Sequence, residues 1–230
     1  MNKKQLILIK FILFKILIIV CLIIFYFISF FSCSGLSQEK LIKEKRFLFD
    51  SFFVIIVISR DIEKAKYDLN QLFLSLENTG IQFDWRNENS YLSKISRFEN
   101  IEIEEKYINF FKDIYYYHRF TKGYFNPFLR KLILAYNNFK DGTIPPDDQK
   151  IKELLKFIKK SEIYLDKNDK VFLKYPENLD LGAAIAGFLV DFSYDYLKNM
   201  GYNNFLINGS GEIRVSGNKY GKNWIIGIQS

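Results

Sequence analysis

The sequence predicts an α+β fold in which mainly antiparallel sheets pack against helices. Three observations predict it. Strand-like and helix-like segments mix without the strict strand–helix–strand alternation of a parallel sheet. Glu162 to Tyr175 reads as a hairpin that turns at Lys167-Asn168-Asp169. Three short strand-like runs, Asn203–Asn208, Glu212–Gly217 and Trp224–Ile228, follow one another on tight turns. The 230 residues are enough for one domain with a real core, and a chain that is 49% hydrophobic and 18% aromatic is not disordered.

The first segment is not part of that domain. Met1–Gln5 is a short positive cap, and Leu6–Phe31 is almost wholly apolar. Its uninterrupted part, Ile16–Phe31, is sixteen residues long. A spanning helix wants about 20, so this length suits a signal-peptide core. The core ends in Ser29-Phe30-Phe31-Ser32-Cys33-Ser34-Gly35, which resembles a bacterial lipoprotein cleavage site and makes Cys33 the expected lipidation site. The alternative is an uncleaved anchor lengthened by snorkelling of Lys10 and Lys15. Residues 1–32 therefore read as signal peptide or membrane anchor, 33–47 as a polar tether and 48–230 as the domain. Both readings tether the domain to the periplasmic face of a bacterial membrane.

Within the domain, Leu48–Ser59 contains the β-branched run Phe-Phe-Val-Ile-Ile-Val-Ile, a buried strand. Asp61 can cap a helix over Ile62–Asn78, whose apolar positions fall at helical spacing, and Gly80 ends it. Lys106–Phe120 is a second helix, Pro145-Pro146 a loop and Gln149–Lys160 a third helix. Ala183–Met200 is a fourth, stopped by Gly201.

Several function classes are excluded. Residues 1–32 hold Lys3, Lys4, Lys10 and Lys15 and no acid, which is four of the seven net positive charges. The rest of the chain has an ordinary balance and no basic stripe interleaved with aromatics, so nucleic acid is not a partner. Cys21 and Cys33 are the two cysteines and His118 the one histidine. They support no disulfide framework, no histidine metal centre and no Ser-His-Asp triad.

The richest segment is Asp180-Leu181-Gly182-Ala183-Ala184-Ile185-Ala186-Gly187-Phe188-Leu189-Val190-Asp191. An extended apolar run reaches an acid and a glycine, then enters a helix. The unpaired N–H groups and dipole of such a helix start make an anion pocket with Asp180 at its lip. Asp191 and Asp195, at i and i+4, read as a solvated helix face. Asn208-Gly209-Ser210-Gly211-Glu212-Ile213 reads either as a phosphate-cradling turn or as a hairpin.

Together these two segments resemble the ApbE-type family, the FAD:protein FMN transferases. Asp180-Leu181-Gly182, Gly187-Phe188 and Val190-Asp191 match its first motif, with Ala186 where that motif has Lys. Ser210 stands where the second motif often has Gly. Thr121-Lys122-Gly123-Tyr124-Phe125-Asn126-Pro127 is similar to the family's Thr-Gly-Gly-Ala-Phe-Asp-Pro. Trp85–Ile95 is similar to its aromatic and Ser-Glu-Leu-Ser-Arg-Phe stretch, while Phe49-Asp50-Ser51 takes the place of Met-Gly-Thr.

The resemblance implies an ApbE-like fold that is incomplete at the C-terminus, since the family's later Mg²⁺-completing segments are not in the chain. It implies a Mg²⁺-dependent transfer of FMN from FAD to a Thr of an exported acceptor protein. Asp180, Tyr124, Phe125, Asn126, Trp85 and Ala186 would meet FAD, and the Ala183 carbonyl would meet Mg²⁺; the resemblance assigns the catalytic role to no particular residue. The alternative is a catalytically inactive lipoprotein that binds flavin or a partner. Read alone, Phe125 is equally a loop anchor and Trp85 a core residue.

Overall fold

The computed structural model describes residues 15–21, 23, 38–49, 51–137 and 145–228. The chain divides into residues 1–39 and 40–230. In the first unit, residues 15–21 and 23 are helical and exposed. Among the described residues no helix is long and apolar enough to cross a membrane. Cys33 and residues 34–37 lie outside the described residues.

The second unit contains a four-stranded antiparallel sheet in the order β1-β2-β6-β7, with β1 Lys40–Leu48, β2 Ser51–Ser59, β6 Phe205–Gly209 and β7 Glu212–Ser216. Side-chain alternation puts Phe53, Ile55 and Val57 of β2 on one face, opposite Gly209, Ile207 and Phe205 of β6. Two helices cover that face: α1, Ile62–Ile81, and the helix over Gly182–Asn199. Asp61 caps α1, its Oδ1 accepting from Lys64 N at 2.9 Å.

The second core surrounds a three-stranded sheet in the order β3-β5-β4, with β3 Asn100–Glu102, β4 Glu162–Leu165 and β5 Val171–Lys174. The helices with it are α2 Tyr91–Ile95, α3 Ile108–Phe120, α4 Arg130–Asn137 and α5 Asp148–Ile158. The helix over Gly182–Asn199 is then α6. The β4–β5 turn falls where expected, with Asp166 Oδ1 accepting from Asn168 N and Lys170 N at 2.8 and 2.9 Å. On α6, Ile185 and Phe188 pack against both cores, so this helix joins them.

Three expectations need correction. Lys40–Phe47, read as tether, lies in the strand Lys40–Leu48, which is paired residue for residue with β2. Its charge concealed it: the inward positions between Ile42 and Leu48 are Glu44 and Arg46, and Arg46 reaches Asn70 Oδ1 at 2.7 Å and lies over the Phe73 ring. Edge strands tolerate such charges. Gly80 does not end α1, which runs on to Ile81. A Cβ there would lie 1.9 Å from the Phe49 ring, so Gly80 admits an aromatic ring against the helix. Trp224–Ile228 forms no strand: Trp224 Nε1 donates to Ser216 O at 3.1 Å, and Ile225 and Ile228 stay over nine-tenths exposed.

Candidate functional site

The site is built where α6 begins. Leu179 and Leu181 point into the second core, so the alternation of an extended chain turns Asp180 between them outward. Asp180 N donates to Pro127 O at 2.8 Å, which fastens the loop before α4 to this junction. Its carboxylate accepts twice, from Gly182 N at 2.9 Å and from Trp85 Nε1 at 3.0 Å. Gly182 suits the tight turn, because a Cβ there would sit 3.0 Å from Asp180 Oδ1.

That arrangement corrects the expected anion pocket. The Gly182 N–H is taken by Asp180, and those of Ala184 and Ile185 by Leu181 O at 2.9 and 3.0 Å. The helix start thus satisfies itself largely from within. The Asn208–Ile213 segment is likewise a hairpin. Ser210 and Gly211 have positive φ, Gly211 N donates to Asn208 Oδ1 at 3.0 Å and Ser210 N to Phe52 O at 3.3 Å.

The loop from Thr121 to Pro127 is held by local hydrogen bonds. Thr121 Oγ1 donates to Tyr117 O and accepts from Phe125 N, at 2.8 and 2.9 Å. Phe125 O accepts from His118 Nδ1 at 2.7 Å, so the single histidine organises this loop. Lys122 and Gly123 carry the positive φ values of the turn. Asn126 Oδ1 accepts from Phe128 N at 2.9 Å.

Between α3 and α6 lies an open cleft of about 960 Å³, at the upper end of the usual range for ligand pockets. Ala183, Ala184 and Gly187 give α6 a low wall, and Phe110, Phe125 and Phe188 supply aromatic surface. Phe110 and Phe188 lie with ring centroids 4.3 Å apart. The cleft also has a charged side. Asp191 and Asp195 face it rather than bulk solvent alone, and Asp191 Oδ1 pairs with Arg214 Nη1 at 2.6 Å. Burial, with the Asp191 charge second, pushes the Asp113 carboxyl above its ordinary value. Asp113 therefore resists ionisation, and stability falls as pH rises from its unfolded to its raised folded pKa.

The expected FAD residues do not share one wall. Phe125 lines the cleft, as does Ala183, the residue expected at the metal, whereas Asp180 is outside that lining. Tyr124 is 95% exposed and outside that lining, and half-buried Ala186 is also outside it. Asn126 caps the next turn. Trp85 is neither a flavin platform in the cleft nor a fully buried core residue: it is half-buried, with its N–H on Asp180 and guanidinium groups over its ring.

Those cations are Arg86 at 5.0 Å and Arg130 at 4.4 Å from the ring centre. Sequence reasoning missed Arg130. Burial lowers its pKa, and the charges of Asp180 and Glu177 act in the opposite sense. No local pattern marks this residue, since it meets Trp85 only through tertiary packing. Among the described residues no three His, Cys, Asp or Glu side chains are grouped to hold a metal ion. Ala183 offers a main-chain carbonyl and nothing more, so the described donors do not amount to a magnesium site.

Known proteins share this architecture. Flavin transferase ApbE from Vibrio cholerae superposes with a TM-score of 0.69 at 20% identity, over 83% of this chain and 64% of that one. The ApbE protein of Thermotoga maritima gives 0.70 at 22% identity, over 83% and 64%. Pseudomonas stutzeri flavinyl transferase ApbE in its apo form gives 0.71 at 18%, over 84% and 67%. These likenesses show the α+β fold. In sequence, a FAD:protein FMN transferase of Chlamydia muridarum (strain MoPn / Nigg) is 30% identical over 175 residues, 71% of this chain and 52% of that protein. The chain thus spans about half the length of that relative. The ApbE family model matches residues 53–230, the strand β2 through the Asp180 junction and both hairpins. The chain belongs to the ApbE family.

Proposed function

We propose that the chain serves FAD:protein FMN transfer, binding FAD at the α3–α6 cleft and passing FMN to a Thr of an exported acceptor protein. The observation that carries this reading is the fastening of the Thr121–Pro127 loop to Asp180. It sets Phe125 and Ala183, from two of the resemblance segments, in the wall of one dinucleotide-sized cleft. Phe125, Phe110 and Phe188 offer apolar faces to a flat ring. Asp180 keeps acceptor capacity, since a carboxylate has about four lone-pair sites and two are in use. The Asp191–Arg214 pair puts a guanidinium at the cleft, where it can meet a phosphate. Magnesium is expected at the Ala183 carbonyl only from the family. The N-terminal apolar segment, with Cys33 as its lipidation site or as part of an uncleaved anchor, would tether the domain at the periplasmic side of a membrane.

The test uses the full chain with FAD, Mg²⁺ and a Thr-bearing acceptor protein. Intact mass should show the acceptor heavier by one FMN unit. An unchanged acceptor, with no FAD bound by the chain, overturns the proposal. FAD binding without transfer supports the second reading, a flavin-binding member without catalysis. Ala186, with no cation to offer a pyrophosphate, favours that reading.

A further inference from the structure

Several chain ends converge at one end of the four-stranded sheet. β1 begins there at Lys40, opposite Ser59 at the end of β2. Ile58 N donates to Asn204 O at 2.9 Å, which brings in the loop between α6 and β6. Asn204 Oδ1 accepts from Asn218 N at 2.9 Å, and just beyond it Lys219 and Lys222 form a bridge. Lys198 occupies the last turn of α6, immediately before this loop.

Lys40, Lys198, Lys219 and Lys222 are all exposed. Among the described residues, no carboxylate lies within 4.0 Å of any of these four ammonium groups. Of the acids at the start of α1, Asp68 pairs with Lys64, Glu63 with Lys66, and Asp61 caps the helix, while exposed Asp195 stands three positions before Lys198 on α6. Tyr220 and Met200, 50% and 43% exposed, add amphipathic and apolar surface at the same end.

The geometry points to this end of the domain as a contact surface for an anionic lipid bilayer. The inference rests on the reading of the N-terminal segment as a membrane tether, and deepens it by naming the face that meets lipid. Charge complementarity is the first support, since each lysine near an anionic surface strengthens attachment by roughly fivefold. The second is where the chain enters. The domain begins at Lys40, on this end, and only six residues, 34–39, separate it from Cys33. Fully extended they reach about 20 Å, which is too short for the domain to turn another end to the lipid freely. Helix α6 then has a mechanical role. Its 18 residues run from Asn199 back to Gly182, about 27 Å of rigid rise. The Asp180 end is thereby held away from lipid and open to an acceptor protein.

The experiment reads amide hydrogen exchange of the full chain in nanodiscs. Discs of phosphatidylcholine alone are compared with discs that also contain phosphatidylglycerol. Exchange over residues 198–204 and 216–222 should slow by roughly tenfold or more in the anionic discs. High salt, and the variant Lys198→Gln/Lys219→Gln/Lys222→Gln, should each remove the difference while leaving exchange near Asp180 unchanged. Equal exchange in both discs, or slowing confined to another face, overturns the surface assignment and leaves the tether reading intact. A chain that does not enter discs of either kind overturns the tether reading and this inference with it.

Discussion

Asp180 shows how much one side chain can organise. Its two carboxylate oxygens accept from Gly182 and Trp85, ninety-five positions away in the second case, and its own N–H holds Pro127. Asp180→Ala would leave the Gly182 N–H uncapped and the Trp85 indole N–H without its acceptor. The expected cost is about 1–2 kcal/mol, measured as a lower urea midpoint together with a shift in tryptophan emission. The sequence marked Asp180, because an acid before a glycine at a helix start is a local pattern. Arg130 carried no such mark. Its place over the Trp85 ring depends on where α4 and the Trp85 loop lie in space. The same holds for Asp113, whose raised pKa comes from packing and from Asp191 on another helix.

At the scale of elements, the hairpin β6–β7 and helix α6 depend on one glycine. A Cβ at Gly209 would lie 2.3 Å from the Phe53 ring and 2.6 Å from Val190 Cγ2. Gly209→Ala should destabilise by about 1–3 kcal/mol through overpacking between β2 and α6, read as a lower denaturation midpoint. A gain in stability would show that the two elements can separate cheaply. The sequence singled out this segment for a phosphate-cradling turn or a hairpin, and the glycine proves to be needed for close approach within the core. Hydrophobic period made α1, α3, α5 and α6 legible as elements, and turn residues did so for the β4–β5 hairpin, but Gly80 misplaced the end of α1. Elements were illegible where charge masked a strand, as in β1. They also failed where an apolar run at Trp224–Ile228 lacked a described neighbour to pair with.

For the whole molecule, α6 is the member that couples two cores. Phe188 reaches across, with its ring 5.7 Å from Phe83 and 4.3 Å from Phe110, while also packing against the sheet core. Phe188→Ala should cost about 3 kcal/mol or more. It should also separate tryptophan-detected from circular-dichroism-detected unfolding, because the link between the cores is weakened. Coincident transitions in that variant would show that other contacts carry the coupling. The sequence by itself determined the α+β class, the family, the main helices and the special character of the Asp180 and Thr121–Pro127 segments. The family follows from the resemblance of those motifs, and the rest from local periodicity, capping and glycine placement, which neighbouring residues encode. Only the tertiary structure decided that Asp180 holds Trp85, that Phe125 and Ala183 share a cleft while Tyr124 does not, and that four lysines gather where the chain enters. Those are meetings of residues far apart in sequence, set by strand register and by the packing of α6 on both cores, and no local pattern records them.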